Sequence, residues 1–385
     1  MPEIVIAGAS TRSAAFSALR AGFRPYCLDL YGDADLRAVA TVRTVSDYPQ
    51  GLIAALEDRP EAPIMYVGAL ENSGNVLDFM EMGRTLLGNP REVVRLVRDP
   101  EYIADTFQSF NLPLPEVRSM HDAPDRDGKW LVKPLQGAGG RGIAAWSAET
   151  VAPDEPHYFQ RHLEGGSYSA VFLAPADQRD VRFVGVTRQI VGSAQLGAKP
   201  FSWCGSVGPE TLSVEVEHLV RRMGNILSWK LGLAGLFGFD FVVDPEGVPH
   251  LIEVNPRYTG SVEVLEHTLK LTLLRDHCAV FGVEPPEFAA PSPGVTALGK
   301  FVLYSPTAWT APEPSEWLLP DEWMHDEIWR EVPSVADIPP AGAQVRAGQP
   351  ICSLFVRGES MSECLDGLGA QLASVSSRLG LELPT

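Results

Sequence analysis

Two apolar runs, LFGFDFVV and VPHLIEV, are joined by Asp244-Pro245-Glu246-Gly247, and this stretch constrains the fold more tightly than any other. Pro suits the second position of a tight turn and Gly the fourth, so the runs should pair as an antiparallel hairpin. Counting back from the turn puts Asp240 opposite Leu251 and on one face with Glu253 and Asn255, because side chains alternate with period two. Asp240 and Glu253 are then diagonal neighbours about 7–8 Å apart at the backbone, a gap that two carboxylates and a cation bridge. Two carboxylates and an amide oxygen suit Mg2+, which takes one or two protein carboxylates and completes its shell with water and phosphate. A solvent-facing hairpin with exposed acids satisfies the alternation equally well. Asn255-Pro256-Arg257 tips the balance, since it ends the strand and sets a guanidinium beside the acids, where a phosphoryl group would bind.

The loop KPLQGAGGRGI spaces Gly137, Gly139 and Gly142 as G-x-G-x-x-G, with Gly140 between them. A dinucleotide-binding turn needs a helix after it, and the strand-like IAAWS follows instead. No Gly-Lys-Ser/Thr closes the loop, so it is not a P-loop either. Joining two antiparallel strands, it fits a lid whose backbone N–H groups approach phosphates, or an ordinary flexible hairpin. Lys133 favours the lid. The chain has only six lysines (Lys129, Lys133, Lys199, Lys230, Lys270 and Lys300), and this one interrupts the apolar WLVKPL, where its ammonium is a point charge for phosphate oxygens.

The hairpin sits in a chain of 385 residues, long enough for two or three domains. Short apolar strands alternate with helical patterns through the first ninety residues, the rhythm of β-α-β units and a parallel sheet. Two helices broken at Asp99-Pro100 follow, then a strand-rich region, and a proline-rich linker near 284–294 precedes a Trp- and Pro-rich stretch and a terminal helix. Five scattered cysteines, odd in number and without a C-x-x-C pair, read as core residues rather than disulfides or a zinc site. A net charge of −18 opposes nucleic acid and anionic membranes as partners, and no signal or membrane-spanning run is evident. A cytoplasmic location is expected.

The ordered series VKP, QGAGGRG, FQRHLEGGSYS and FDFVVD…LIEVNPR resembles the ATP-grasp superfamily, over roughly residues 1–280. The resemblance implies an α/β and α+β protein. Residues 1–90 would form a Rossmann-like domain, 91–158 a small ATP-grasp subdomain with the glycine lid, and 159–283 a large subdomain with the Mg2+ site. A small β/α extension would span 295–385. It implies ATP and two Mg2+ ions, with Mn2+ as an alternative. Lys133 would contact the α and β phosphates, and Asp240, Glu253 and Asn255 would hold metal. Arg257 would meet the γ-phosphate or acyl phosphate, making Lys133 and Arg257 the catalytic pair. Gln160, Arg161, His162 and Leu163 match the hinge that reads adenine, with Glu164 a candidate for the ribose. Tyr258, Gly260 and Ser261 lie where the family often places contacts to the acyl substrate. The chain departs from the pattern at Pro100, where many relatives carry a phosphate-contacting Lys, and Arg98 is the nearest replacement.

The activity implied is ligation of a carboxylate to an amine through an acyl phosphate, releasing ADP and phosphate, in small-molecule or cofactor biosynthesis. Ser10, Arg12, Glu71 and Asn72, at strand ends of the first domain, are candidates for the acceptor or for helix capping. A bicarbonate-activating carboxylase or carbamoyl-phosphate type enzyme and a non-catalytic nucleotide-binding protein compete with this reading. An oxidoreductase ranks last, although Asp29 ends the second strand as a ribose-binding acid would. A small carboxylate and an amine are the expected partners, and a homodimer is compatible.

Overall fold

The computed structural model describes residues 1–57, 61–287, 289–318, 325 and 327–382, so part of the Trp- and Pro-rich stretch and one residue of the proline-rich linker lie outside them. The opening β-α-β rhythm becomes a parallel sheet of β1 (Glu3–Gly8), β2 (Arg24–Asp29), β3 (Thr41–Thr44) and β4 (Ile64–Tyr66), in the order β3-β2-β1-β4. β1 and β4 are buried almost throughout, as sheets covered on both faces require. Asp29 does not wait for a ribose. It accepts from Thr11 N and Oγ1 and from the backbone N–H groups of Tyr31 and Gly32, all at 2.6–2.8 Å, and so fixes the turn beyond β2.

Helices Arg91–Val97 and Pro100–Ser109 break where Asp99 caps the second through the N–H groups of Glu101 and Tyr102, with Pro100 in its first turn. A four-stranded antiparallel sheet follows, of β5 (Val117–Ser119), β6 (Asp127–Pro134), β7 (Ala144–Ser147) and β8 (His157–Arg161), ordered β5-β8-β6-β7. The glycine loop joins β6 to β7, with a strand and not a helix after it.

The large sheet begins with β9 (Gly166–Ala174), β10 (Arg182–Val191), β11 (Trp203–Gly208), β12 (Gly235–Val243) and β13 (Pro249–Asn255). Residues beyond 295 add β14 (Ala297–Tyr304), β15 (Trp309–Thr310), β16 (Val335–Ala336), β17 (Gln344–Val345) and β18 (Pro350–Gly358). The order β13-β12-β9-β10-β11-β14-β18-β16 makes the C-terminal strands a continuation of the same sheet, while β15 pairs with β17. Helix Val214–Leu231 buries Val216, Val220, Met223, Leu227 and Leu231 at helical spacing in a core with Phe172, Phe237 and Phe239, whose rings stack at 5.3 and 5.5 Å. On the opposite side Val171, Leu236, Tyr258 and Val262 share a core with Ile4, Ile6 and Ala18 of the first domain.

His277 ties these parts together. Its Nδ1 accepts from Leu236 N (2.9 Å) and its Nε2 donates to Leu87 O (3.1 Å), so both nitrogens are committed in the neutral ring. Burial lowers its pKa to about 4, and that of His267 to about 3. An unfolded His titrates near 6.5, so as pH falls from 6.5 toward 4 the unfolded chain takes up protons that the folded chain refuses, and stability falls. Each histidine contributes up to about 1.4 kcal/mol per pH unit in that window. The urea midpoint should drop steadily between pH 7 and pH 4.5, and less steeply in His277→Gln; identical slopes would refute the assignment.

Candidate nucleotide and phosphoryl-transfer site

The β12–β13 hairpin forms with a register different from the one expected. Three residues, Pro245, Glu246 and Gly247, connect Asp244 to Val248, and Gly247 takes the left-handed conformation (φ 82°) that a three-residue hairpin loop requires. A bulge then inserts Ile252, so that Phe241 pairs with Leu251 but Asp240 pairs with Glu253. The cause is packing: Leu251 and Val254 are both buried in the core beside Phe239, and two core positions three residues apart need one extra residue between them. Asp240 and Glu253 are therefore directly opposite, closer than the diagonal pair expected.

This proximity has an electrostatic signature. Burial and the Glu253 carboxylate raise the pKa of Asp240 to about 6, despite hydrogen bonds from Ser169 and Gln189. Asn255 Nδ2 donates to Asp240 Oδ2 at 3.4 Å, and Glu253 is ion-paired with Arg98. A divalent cation between the two carboxylates would relieve their repulsion, and the oxygen-only donor set fits Mg2+. Among the described residues no group of three His, Cys, Asp or Glu is placed to hold a metal, so an amide or nucleotide oxygen has to complete such a site.

A narrow cleft of about 60 Å³ runs between this hairpin and the small sheet, bordered by Lys133, Gln160, Arg98, Glu253 and the glycine loop. Lys133, on β6, is buried; its Nζ donates to Gln160 Oε1 (3.0 Å) and lies 5.6 Å from the centre of the Tyr158 ring. Gln160 Nε2 reaches the carbonyl of the bulge residue Ile252 at 3.3 Å. Beyond it Arg161 and Leu163 are half-buried, whereas His162 and Glu164 are exposed. In the loop, Gly139, Gly140 and Gly142 have φ of 60–79°, and a Cβ on Gly140 would lie 1.9 Å from Phe201 O. The loop thus closes down on residues 201–203, where Trp203 N donates to Gly139 O.

Glu71, Asn72 and Arg98 supply the far wall. Arg98 Nη2 donates to Gly137 O (2.8 Å) and Asn72 Oδ1 (3.3 Å), and Asn72 Nδ2 also donates to Gly137 O. Arg257 is paired with Glu71 through Nε (2.9 Å) and Nη2 (2.7 Å), and its Nη2 reaches Asn255 Oδ1. Beside Arg257 and Arg98, the Glu71 carboxyl titrates below its usual range even though buried. Glu71 and Asn72 are therefore brought to Arg257 and to the base of the glycine loop, respectively. Ser10, Tyr258 and Gly260 border a separate cavity. Arg12 and Ser261 turn into the interior: Arg12 is fully buried on Glu263 and Asp337, and Ser261 accepts from Thr187. No local signal marked Arg98 as the partner of Glu253, because the two are 155 residues apart.

Residues 102–261 match the family model of the ATP-grasp domain. The chain carries an ATP-grasp domain. Among curated relatives, the carbamoyl phosphate synthase large chain of Methanothermobacter thermautotrophicus is 23% identical over 234 residues, 55% of this chain and 22% of that one. The chain thus spans about a fifth of the length of the curated relatives it matches. Two solved structures share the fold of the ATP-grasp domain and its flanks across nearly the whole chain. The biotin carboxylase domain of Hydrogenobacter thermophilus 2-oxoglutarate carboxylase, in complex with MgADP, ADP and bicarbonate, superposes with a TM-score of 0.71 (12% identity, covering 99% of this chain and 90% of that one). The L-amino acid ligase of Bacillus licheniformis superposes with a TM-score of 0.66 (14% identity, 97% and 98%).

Proposed function

We propose that the chain is an ATP-dependent ligase that joins a carboxylate to an amine through an acyl phosphate, releasing ADP and phosphate. The observation that carries this reading is the position of Arg257. It borders a large cavity on one side and bonds Glu71 and Asn255 beside the Asp240–Glu253 pair on the other, so phosphoryl chemistry and an organic substrate meet at one guanidinium. ATP bound between the hairpin and the small sheet would supply the phosphoryl group, and Asp240, Glu253 and Asn255 are the residues that would hold the Mg2+ that neutralises its charge. Lys133 places a buried cation against the phosphates. Arg257 neutralises the transferring group, and the lid with Arg98 excludes water that would hydrolyse the activated acid. The exposed residues after β8 suit a hinge that reads adenine through backbone groups.

A second reading, activation of bicarbonate, is favoured by the likeness to the carbamoyl phosphate synthase large chain and to a biotin carboxylase domain. Pooled carboxylates and amines, screened by coupled ADP release, separate the two. The ligase reading expects a stimulated rate only where an acid and an amine are both present. ADP formed with bicarbonate alone, and stimulated by no acid–amine pair, would replace it with the second.

A further inference from the structure

The cavity on the other side of Arg257 encloses about 320 Å³ between the loops after β1, β2 and β4, the start of helix Gly260–Leu269 and the strands β14 and β18. Its wall is largely aromatic and aliphatic, including Tyr31, Trp203, Tyr258, Tyr304, Val302 and Ile351. Four charged side chains border it: Asp33, Asp337, Lys300 and Arg257. Three are matched. Lys300 Nζ donates to Glu263 Oε2 (2.7 Å), Asp337 Oδ1 accepts from Arg12 Nε (3.0 Å), and Arg257 is held by Glu71.

Asp33 is the exception. Only 4% exposed, it precedes helix Ala34–Val39 without its side chain capping that helix, and its Oδ2 is buried with no hydrogen-bond partner among the described residues. The neighbouring acids all have uses: Asp29 holds the turn after β2, and Asp35 accepts from the N–H groups of Asp337 and Ile338. Native interiors rarely leave a carboxylate oxygen bare, and one that persists asks what donor completes it. The charge around it is also lopsided, with Asp33, Asp35, Glu263 and Asp337 facing the buried cations Arg12 and Lys300. Burial and the like charges of Asp337 and Asp35 push the Asp33 carboxyl well above its usual range, as expected where a counter-charge is missing. A second carboxylate entering this cavity would worsen the imbalance. An ammonium would correct it, and aromatic faces favour a cation as well.

We propose that this cavity is the subsite for the acceptor amine, which it takes as a primary ammonium on an apolar body, the ammonium bound by Asp33 and the body by the aromatic wall; the ammonium passes one proton to the Asp33 carboxylate before the free amine attacks and phosphate leaves. The inference rests on the ligase reading only in naming the occupant an acceptor; the ammonium binds without turnover. Arg257 borders this cavity and reaches Asn255, which bonds Asp240, so an occupant of the cavity lies beside the residues proposed to hold the activated carboxyl group.

Calorimetry with three probes of similar size, benzylammonium, benzyl alcohol and phenylacetate, tests the assignment on the full chain. Benzylammonium should bind at least tenfold more tightly than the alcohol, with phenylacetate the weakest. Asp33→Asn should erase the ammonium's advantage, leave ATP affinity unchanged and raise the melting temperature of the unliganded protein by removing an unpaired buried acid. Equal binding of ammonium and alcohol, preference for phenylacetate, no binding by any probe, or an Asp33→Asn protein that keeps the preference would each overturn the proposal. The comparison of probes on the unsubstituted protein decides the matter even if the variant fails to fold. Ammonium-selective binding in a protein whose ADP release no acid–amine pair stimulates would sink the ligase reading and spare the cavity. Turnover of an amine whose KM ignores Asp33→Asn would do the reverse.

Discussion

Glu253→Gln should lower Mg2+-dependent ADP formation by about 10²–10³-fold or more, and Lys133→Ala by a comparable factor, because each removes one preorganised charge from the proposed phosphoryl-transfer face. The two losses differ in kind. Glu253 stands directly opposite Asp240, so the glutamine variant keeps the shape of the pair and removes one of its two negative charges. Metal should then bind more weakly, and higher Mg2+ should recover part of the rate. Lys133 reaches the cleft from the opposing sheet and donates to Gln160 Oε1. Its loss should weaken nucleotide binding in calorimetry, and added metal should not restore it. Both proteins should retain the circular dichroism of the unsubstituted chain, since neither side chain belongs to a hydrophobic core cluster. Normal turnover in both variants would dismiss the site, and a shared response to Mg2+ would dismiss the division of roles.

That pair also marks how far the amino-acid sequence could be read. Asp244-Pro245-Glu246-Gly247 announces a hairpin, and period-two alternation puts Glu253 in phase with Asp240. Both rules are local, and both operate here. The register failed for two reasons that are not local to the turn residues. Gly247 took a third loop position, and Leu251 and Val254 were both drawn to the core, forcing Ile252 out as a bulge. The glycine loop follows the same logic: the spacing of Gly137, Gly139 and Gly142 is ambiguous, IAAWS argues against a helix, and β7 is the strand it implies. Nothing comparable announces Arg98 against Glu253, or Glu71 against Arg257, because such pairs depend on how separate sheets dock. Arg12 shows the cost of reading position alone. It follows β1 at the usual ligand edge of a parallel sheet, yet the chain beyond residue 260 folds over it and takes up its guanidinium.

Arg12→Met should destabilise the protein by about 3–5 kcal/mol, the range for removing one partner of a buried ion pair. Arg12 is fully buried, with its guanidinium paired to Glu263, its Nε on Asp337 Oδ1 (3.0 Å) and Asp35 at 3.8 Å. Its ring neighbour Phe16 lies 5.1 Å away, so methionine replaces the apolar stem tolerably and the loss is one of charge. Without the guanidinium, Lys300 alone faces Glu263 and Asp337, which come from helix Gly260–Leu269 and from the bend after β16. Arg12→Lys should recover little of the loss, because a single ammonium cannot serve Glu263 bidentately and Asp337 at once. Glu263→Gln, which keeps the volume and leaves Asp337 and Asp35 to hold Arg12, should cost less than Arg12→Met. The double variant should fall well short of the sum, since both changes break the same pair. Urea unfolding of the four proteins at pH 7.5 supplies the cycle. An Arg12→Met midpoint equal to that of the unsubstituted protein would show that the cluster does not hold helix Arg12–Arg20 to Glu263 and Asp337.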